Sequence, residues 1–502
     1  MKNVLEYLEY NSAVHADKIA ASDYDVSVTY SELTDKAKRI GSALSKLGAK
    51  NRAISLFMEK NVNLLCAMLA TVYSGNFYSV VDLEMPNDRK NKIFETLKPA
   101  ALLTDKAHLE KAKEIAFDGE VILIEDACQA AVDEDRLSEI RKGQIDTDPL
   151  YANFTSGSTG VPKGIVVCHR SVMDFINVFT ETFDINGNDI IANQAPFDFD
   201  VSVKDIYSAL KVGAHLVIVP RRLFSAPVEL IDFLCENKVT VMTWAVSALC
   251  LISTLHGLDY KTPETVRKIL FSGEVMPYKH LLNWQSHLPD AELVNLYGPT
   301  EITCNCTYHI LEKECDYSAG IPIGKAFENE DVFLLDENNQ LVTETGRAGE
   351  ICVRGTALAL GYYAAHEQTA KSFVQNPLNN NYPELIYRTG DLAVYNENQE
   401  LVFSGRKDFQ IKYMGHRIEL EEIEHAMAAI DGVERCVCIF DEKKSKLKGF
   451  YVGSIEKAEL HTVMRNTLPV FMVPGMLRQV DEMPLTKNGK IDRKKLQEMG
   501  RR

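Results

Sequence analysis

Asn153-Phe-Thr-Ser-Gly-Ser-Thr-Gly-Val-Pro-Lys-Gly164 packs three glycines and four hydroxyl residues into ten positions, between an apolar stretch and the run Ile165-Val166-Val167. Glycine accepts positive φ and lets backbone approach a ligand, so successive N–H groups can turn toward an anion. Hydroxyls add rotatable donors for phosphate oxygens, and Lys163 supplies a positive charge. The order is not that of a P-loop: Lys163 stands between Pro162 and Gly164, and no helix-opening Ser or Thr follows. A flexible connection has the same composition, so the reading depends on the rest of the chain.

Outward from this run, helical and strand patterns alternate. Tyr30–Leu47 has apolar residues at helical spacing, opened by Thr29 as N-cap with Glu32 three residues on. Ala53–Phe57 and Phe77–Val81 read as strands around the apolar helix Asn63–Tyr73, and the rhythm returns at His215–Val219, Val239–Thr243 and Lys268–Phe271. Such alternation implies an α/β fold of parallel sheets covered by helices. After Gly320 short β-rich runs, Val332–Leu335, Gly349–Val353 and Leu401–Phe403, suggest a smaller barrel or sheet. A compact α+β tail follows: helix Leu420–Ile430, strands Cys436–Phe440 and Gly449–Val452, helix Ala458–Leu468. The expected division is a large domain over residues 1–407 and a small one over 408–502.

A chain of 502 residues exceeds one core. Its net charge of −16 argues against nucleic acid or an anionic membrane as partner. From Gly405 onward 19 Lys and Arg stand against 15 Asp and Glu, a net of +4, so the preceding part carries −20. A mildly basic tail suits an acidic partner. Eleven scattered cysteines fit reduced thiols of a cytosolic protein, and Cys304-Asn-Cys306 and Cys436-Val-Cys438 lack zinc spacing. Without a leader pattern or a membrane-length apolar run, a soluble cytoplasmic protein, most simply a monomer, is expected.

Four further motifs follow the loop in order: Asn295-Leu-Tyr-Gly-Pro-Thr-Glu301; Tyr387-Arg-Thr-Gly-Asp-Leu392; Gly405-Arg-Lys-Asp-Phe-Gln-Ile-Lys412 with Gly415-His-Arg-Ile-Glu419; and Pro484-Leu-Thr-Lys-Asn-Gly-Lys-Ile-Asp-Arg493. With the earlier Gly75–Arg89 segment, they resemble the adenylate-forming (ATP-dependent AMP-binding) family, in its amino-acid-adenylating branch, over essentially the whole chain. The resemblance implies ATP as substrate and Mg²⁺ as cofactor. It implies that Thr155, Ser156, Gly157, Ser158, Thr159 and Gly160, with Lys163, cradle the departing phosphates, and that Thr300 touches phosphate. Asn295, Leu296, Tyr297, Gly298 and Pro299 would flank adenine, and Glu301 would hold the metal. Asp391 would accept both ribose hydroxyls, with Phe403, Ser404, Gly405 and Arg406 beside the nucleotide. Lys490 matches the catalytic lysine, whose ammonium bridges the substrate carboxylate and the developing oxyanion charge. Asp408 matches the hinge on which the small domain turns, and Gly415 the loop presented for thiol attack.

In the same resemblance Asp200, within Phe199-Asp-Val-Ser-Val-Lys-Asp205, pairs with the α-ammonium of an amino acid, a role for which Asp198 competes. Val201, Lys204, Thr243, Leu270, Ser272, Leu296, Cys304 and Asn305, with Lys490, line the pocket, a small and mixed surface suited to a small amino acid. Phe-Asp-x-Ser-Val-x-Asp-Ile-Tyr207, Thr243-Trp244 and Ser272–Pro277 are most like the D-alanine:D-alanyl carrier protein ligases, which load D-alanine for teichoic acid esterification. Two residues depart from that pattern: Ser272 replaces a cysteine and Lys204 an apolar residue. Lys204 lies four residues after Asp200, so a helical pair could tie the two together; alternatively it reads a polar or acidic side chain. No Gly-Gly-x-Ser-type carrier attachment site follows Lys490, so a freestanding enzyme is expected, serving an acidic phosphopantetheinylated carrier protein. The alternatives are a nonribosomal-peptide-type enzyme for another amino acid, a non-catalytic adenylate-binding protein, which Glu301 and Lys490 argue against, and an acyl-CoA synthetase, which Asp200 disfavours.

Overall fold

A computed structural model describes residues 1–157, 161–441, 444–484 and 491–499. The first long helix, Tyr30–Ser45, begins as its sequence asks: Thr29 Oγ1 accepts the Glu32 N–H at 3.2 Å, and Glu32 accepts the Thr29 N–H at 2.8 Å. These reciprocal bonds satisfy donors that a helix start leaves orphaned. The next helix, Val62–Tyr73, is apolar on nearly every side and almost wholly buried, as a helix inside a large domain must be.

Two sheets sandwich these helices. The seven-stranded one runs, in spatial order, Gly361–Tyr362, Lys163–Cys168, Pro149–Thr155, Phe77–Val80, Ala53–Phe57, Ala101–Thr104, Glu120–Leu123. Its strands Pro149–Thr155 and Lys163–Cys168 pair antiparallel, and Thr155 and Lys163 of the Gly/Ser/Thr run are register partners at their ends. The nine-stranded sheet runs Lys325–Ala326, Thr307–Ile310, Glu292–Tyr297, Lys268–Ser272, Val241–Ala245, Ile190–Asn193, His215–Ile218, Ile19–Ser22, Ser27–Thr29, parallel from Glu292–Tyr297 to Ile19–Ser22. One continuous core joins both sheets to the helices between them, with Leu56 and Tyr151 on one side, Leu216 and Leu270 on the other, and Leu65, Phe175 and Ile206 between. The strand expected at Val239 begins two residues later. Val239 N–H still bonds Leu234 O, closing the preceding helix, and Thr240 N–H bonds Ile190 O.

The β-rich unit after Gly320 is an antiparallel sheet, Leu341–Val342, Glu330–Leu335, Gly349–Gly355, Leu385–Tyr395 and Phe373–Gln375, with Leu401–Arg406 also paired to Leu385–Tyr395. Beyond it the hairpin Gln410–Tyr413/His416–Glu419 leads into helix Leu420–Ala428, strands Val433–Asp441, Lys446–Gly453 and Met476–Gln479, and helix Lys457–Thr467. This part has its own core of Ile418, Ile423, Met427, Cys438, Tyr451, Leu460 and Met464. The molecule is thus an α/β protein with a large N-terminal and a small C-terminal domain. All eleven cysteines are free thiols, and no helix among the described residues is long and apolar enough to cross a membrane.

Candidate active site

Thr243, Leu270, Ser272 and Leu296 come together because strands Val241–Ala245, Lys268–Ser272 and Glu292–Tyr297 lie parallel and in step, Thr243 opposite Leu270 and Leu270 opposite Val294. Their carboxyl ends are where open α/β sheets bind ligands. Helix Val201–Val212 faces these ends, with Asp200 in its N-cap position, Val201 first in the helix and Lys204 on its buried side. Thr303 and Cys304 take positive φ of 54° and 91°, reversing the chain so that Asn305 meets the helix. Lys204 Nζ donates to Asn305 Oδ1 at 2.7 Å, both residues being buried.

The i,i+4 tie between Lys204 and Asp200 is therefore not the contact made. Asp200 precedes the helix, with the Thr300 hydroxyl near enough to favour its ionised form. Burial pushes Asp200 above the ordinary aspartate value; Thr300 and the charges of Lys204 and Lys412 pull back against it.

On the neighbouring face, Asp391 lies buried in strand Leu385–Tyr395, opposite Arg406 in the register. It accepts the Tyr297 hydroxyl at 2.5 Å and pairs with the Arg406 guanidinium, which also binds Asp408 at 2.6 and 2.8 Å. Phe403, Ser404 and Gly405 lead along the strand edge to Arg406. Asn295 Nδ2 donates to Pro322 O at 2.8 Å, fixing the strand end. A Cβ on Gly298 would stand 2.5 Å from Asn305 Cα and 2.6 Å from Cys304 O, so only glycine fits there after Tyr297 and before Pro299.

Glu301 is fully buried. Tyr362 OH donates to it at 2.8 Å, and Arg417 reaches its two oxygens at 2.9 and 2.7 Å. Burial alone would raise this carboxyl, but Arg417 and Tyr362 outweigh it and hold Glu301 below the usual range. Among the described residues no group of three or more His, Cys, Asp and Glu could cage a metal. A lone buried carboxylate that already draws in a cation fits a Mg²⁺ shared with phosphate oxygens.

Arg417 belongs to the small domain, and other groups of that domain reach the same site. Gly415, at the hairpin tip with φ +80°, donates its N–H to Glu274 Oε1 at 2.6 Å. A Cβ there would lie 3.5 Å from Ser247 Oγ and 3.7 Å from the Ala245 side chain, so the hairpin tip rests on the end of a pocket strand. Lys412 Nζ lies 5.7 Å from the Tyr297 ring centre, where desolvation of the ammonium lowers its pKa against the opposing pull of Asp391 and Asp200. At the Gly/Ser/Thr run, which leaves the strand at Thr155, Ser156 Oγ donates to Arg417 O and Gly157 N–H to Glu422 Oε2 at 3.2 Å. Lys163 Nζ lies 3.9 Å from Glu419 Oε1, and Arg89 pairs with Glu422. Ser158, Thr159, Gly160 and Lys490 lie outside the described residues. Glu274, Lys412, Arg417 and Glu419 stand inside or beside the quoted motifs, so a signal for them existed; Glu422 reads as an ordinary first-turn glutamate.

Known proteins share this architecture. The chain is 32% identical over 99% of its length to surfactin synthase subunit 1 of Bacillus subtilis (strain 168), of which it spans 14%. It is 31% identical over 96% of its length to zwittermicin A synthase ZmaJ of Bacillus cereus, covering 92% of that protein. The solved structure of holo-PA1221, an NRPS protein containing adenylation and PCP domains, superposes with a TM-score of 0.83 at 26% identity, over 99% of this chain and 84% of that one. Residues 8–363 match the AMP-binding enzyme family and residues 422–490 the AMP-binding enzyme C-terminal domain, and the chain belongs to the AMP-binding enzyme family.

Proposed function

We propose that the chain is an AMP-forming amino acid–carrier protein ligase. An amino-acid carboxylate oxygen attacks the α-phosphorus of ATP, the bond to the bridging oxygen breaks, and aminoacyl-AMP and pyrophosphate result. A carrier's phosphopantetheine thiol then attacks the acyl carbon and AMP leaves. Positioning and charge neutralisation carry such phosphoryl chemistry.

The observation that carries this reading is Asp200: a half-buried carboxylate at the head of the helix Val201–Val212, poorly solvated and steadied by the Thr300 hydroxyl beside Glu301. It suits an α-ammonium held next to the reacting carboxylate, which a fatty acid would not offer. In this reading Thr155, Ser156, Gly157 and Lys163 receive phosphate oxygens, Tyr297 and Gly298 flank adenine, Asp391 and Arg406 orient the ribose, and Lys490 neutralises the oxyanion. Glu301 would hold Mg²⁺, which when bound offsets the charge on the departing phosphates.

For the amino acid, the reading is a small neutral one, with D-alanine the candidate. Three lysines, Lys60, Lys204 and Lys412, stand against three aspartates, Asp198, Asp200 and Asp205, with Lys204 and Asp205 fully buried, so a zwitterion with a neutral side chain adds no net charge. Lys204 is occupied by Asn305, and Thr243, Ser272 and Cys304 are short. The proposed domains are 1–407 and 408–502, hinged at Asp408, with the docked Gly415 hairpin marking the arrangement for thiol transfer. PA1221, which joins adenylation and PCP domains, supports a carrier protein as the acceptor.

Lys490→Ala tests the assignment. Amino-acid-dependent ATP–pyrophosphate exchange should fall by at least about 10²–10³ while ATP still binds. An unaltered exchange rate would remove Lys490 from the chemistry.

A further inference from the structure

The small domain touches the phosphate side of the site through charges of a particular pattern. Glu301, the carboxylate assigned to the metal, receives a cation, the Arg417 guanidinium, at 2.7 and 2.9 Å. The backbone N–H of Gly157, assigned to a phosphate oxygen, receives an anion, Glu422 Oε2, at 3.2 Å. Lys163, assigned to the same phosphates, has the Glu419 carboxylate 3.9 Å away, and Ser156 Oγ gives its proton to the Arg417 carbonyl. These four groups, Glu301, Ser156, Gly157 and Lys163, which would meet magnesium or pyrophosphate, meet instead a group of the same sign from the strand His416–Glu419 or the helix Leu420–Ala428.

We infer that Arg417, Glu419 and Glu422 are an internal counterpart of magnesium pyrophosphate, so that docking of the small domain in this arrangement and retention of magnesium pyrophosphate exclude one another. The inference rests on the proposed reading of the phosphate site and adds to it which residues sense that the product has left. Steric overlap alone would keep the product and the hairpin apart; the pattern of charges does more. A buried Glu301 without a cation, or a desolvated Gly157 N–H without an acceptor, costs free energy in any empty state. The large domain therefore exchanges one set of partners for the other, and the vacant intermediate is short-lived. Arg89 extends the pattern, since it pairs with the Glu422 oxygen that Gly157 does not use.

The test uses the whole protein with MgCl₂ and sodium pyrophosphate as the only additions, read by calorimetry and by hydrogen exchange of the segment 410–419. That segment contains the Gly415 amide held by Glu274 in the docked state. Binding of magnesium pyrophosphate to the wild type should accelerate exchange there. Arg417→Gln and Glu422→Gln, each weakening the internal competitor, should bind magnesium pyrophosphate more tightly, by roughly tenfold if the undocked state is about a tenth of the population. They should also show faster exchange at Gly415 before any addition. If one variant folds poorly, the other carries the comparison. Binding that leaves exchange at 410–419 unchanged, or variants that bind no tighter than wild type, overturns the inference while the phosphate site stands. Absence of any magnesium pyrophosphate binding to the wild type overturns both.

Discussion

Lys204 Nζ lies 2.7 Å from Asn305 Oδ1, joining two buried residues 101 positions apart across the pocket. The lysine that departs from the nearest sequence pattern is thus held by the protein itself.

Lys204→Met should accordingly keep the same preferred amino acid in a substrate panel. Loss of a charged, buried hydrogen bond should lower stability by about 1.5–3 kcal/mol, readable in urea unfolding. A changed best substrate would mean that Lys204 reads the side chain.

Asp200→Ala should abolish the preference for an α-amine. The comparison is pyrophosphate exchange with the best amino acid against its desamino analogue, where wild type discriminates and the variant does not. Because burial raises the Asp200 pKa, protonation removes the anion at a higher pH than for an exposed aspartate. KM for the amino acid should therefore climb on acidification before the ordinary value of about 3.9 is reached. Discrimination that survives in the variant would move the ammonium site to Asp198.

His416 should make thiol transfer acid-sensitive. Its ring stacks on Phe471 at 3.5 Å and meets Phe199 of the large domain edge-on at 5.0 Å. Burial, with Arg221 nearby, lowers it to about 4. A ring released toward water would regain a value near 6.5, so docking favours neutral imidazole. The sign follows: docking is unpenalised above about pH 6.5 and loses about 1–2 kcal/mol by pH 5. The ratio of thioester formation to pyrophosphate exchange should fall over that window in wild type and stay flat in His416→Phe. Parallel pH profiles for the two proteins would refute this.

Asp408→Pro should separate the two half-reactions. Proline fixes φ near −65° where the hinge must turn. Pyrophosphate exchange should largely persist while transfer to the carrier thiol falls. Equal loss of both would place the hinge elsewhere.

What the sequence displayed was local and periodic. The Thr29–Glu32 cap, the apolar helix Val62–Tyr73 and the strand–helix alternation all depend on neighbours in the chain, and each appears where its pattern lies. Pocket residues such as Thr243, Leu270 and Asn305 were reachable through motif spacing. The partners that complete them were not. Asn305 for Lys204, Arg417 for Glu301 and Glu422 for Gly157 are set by how the helix, the sheet and the small domain dock, at separations of 101, 116 and 265 residues. A helical i,i+4 rule offered Asp200 to Lys204, and tertiary geometry offered a better-placed acceptor.

ATP–pyrophosphate exchange across D- and L-amino acids, with a no-substrate control and a fatty acid, tests the central claim most directly. The account predicts exchange that depends on an amino acid, is strongest with a small neutral one such as D-alanine, and is absent with the fatty acid. Exchange with the fatty acid alone, or none with any amino acid, would contradict it.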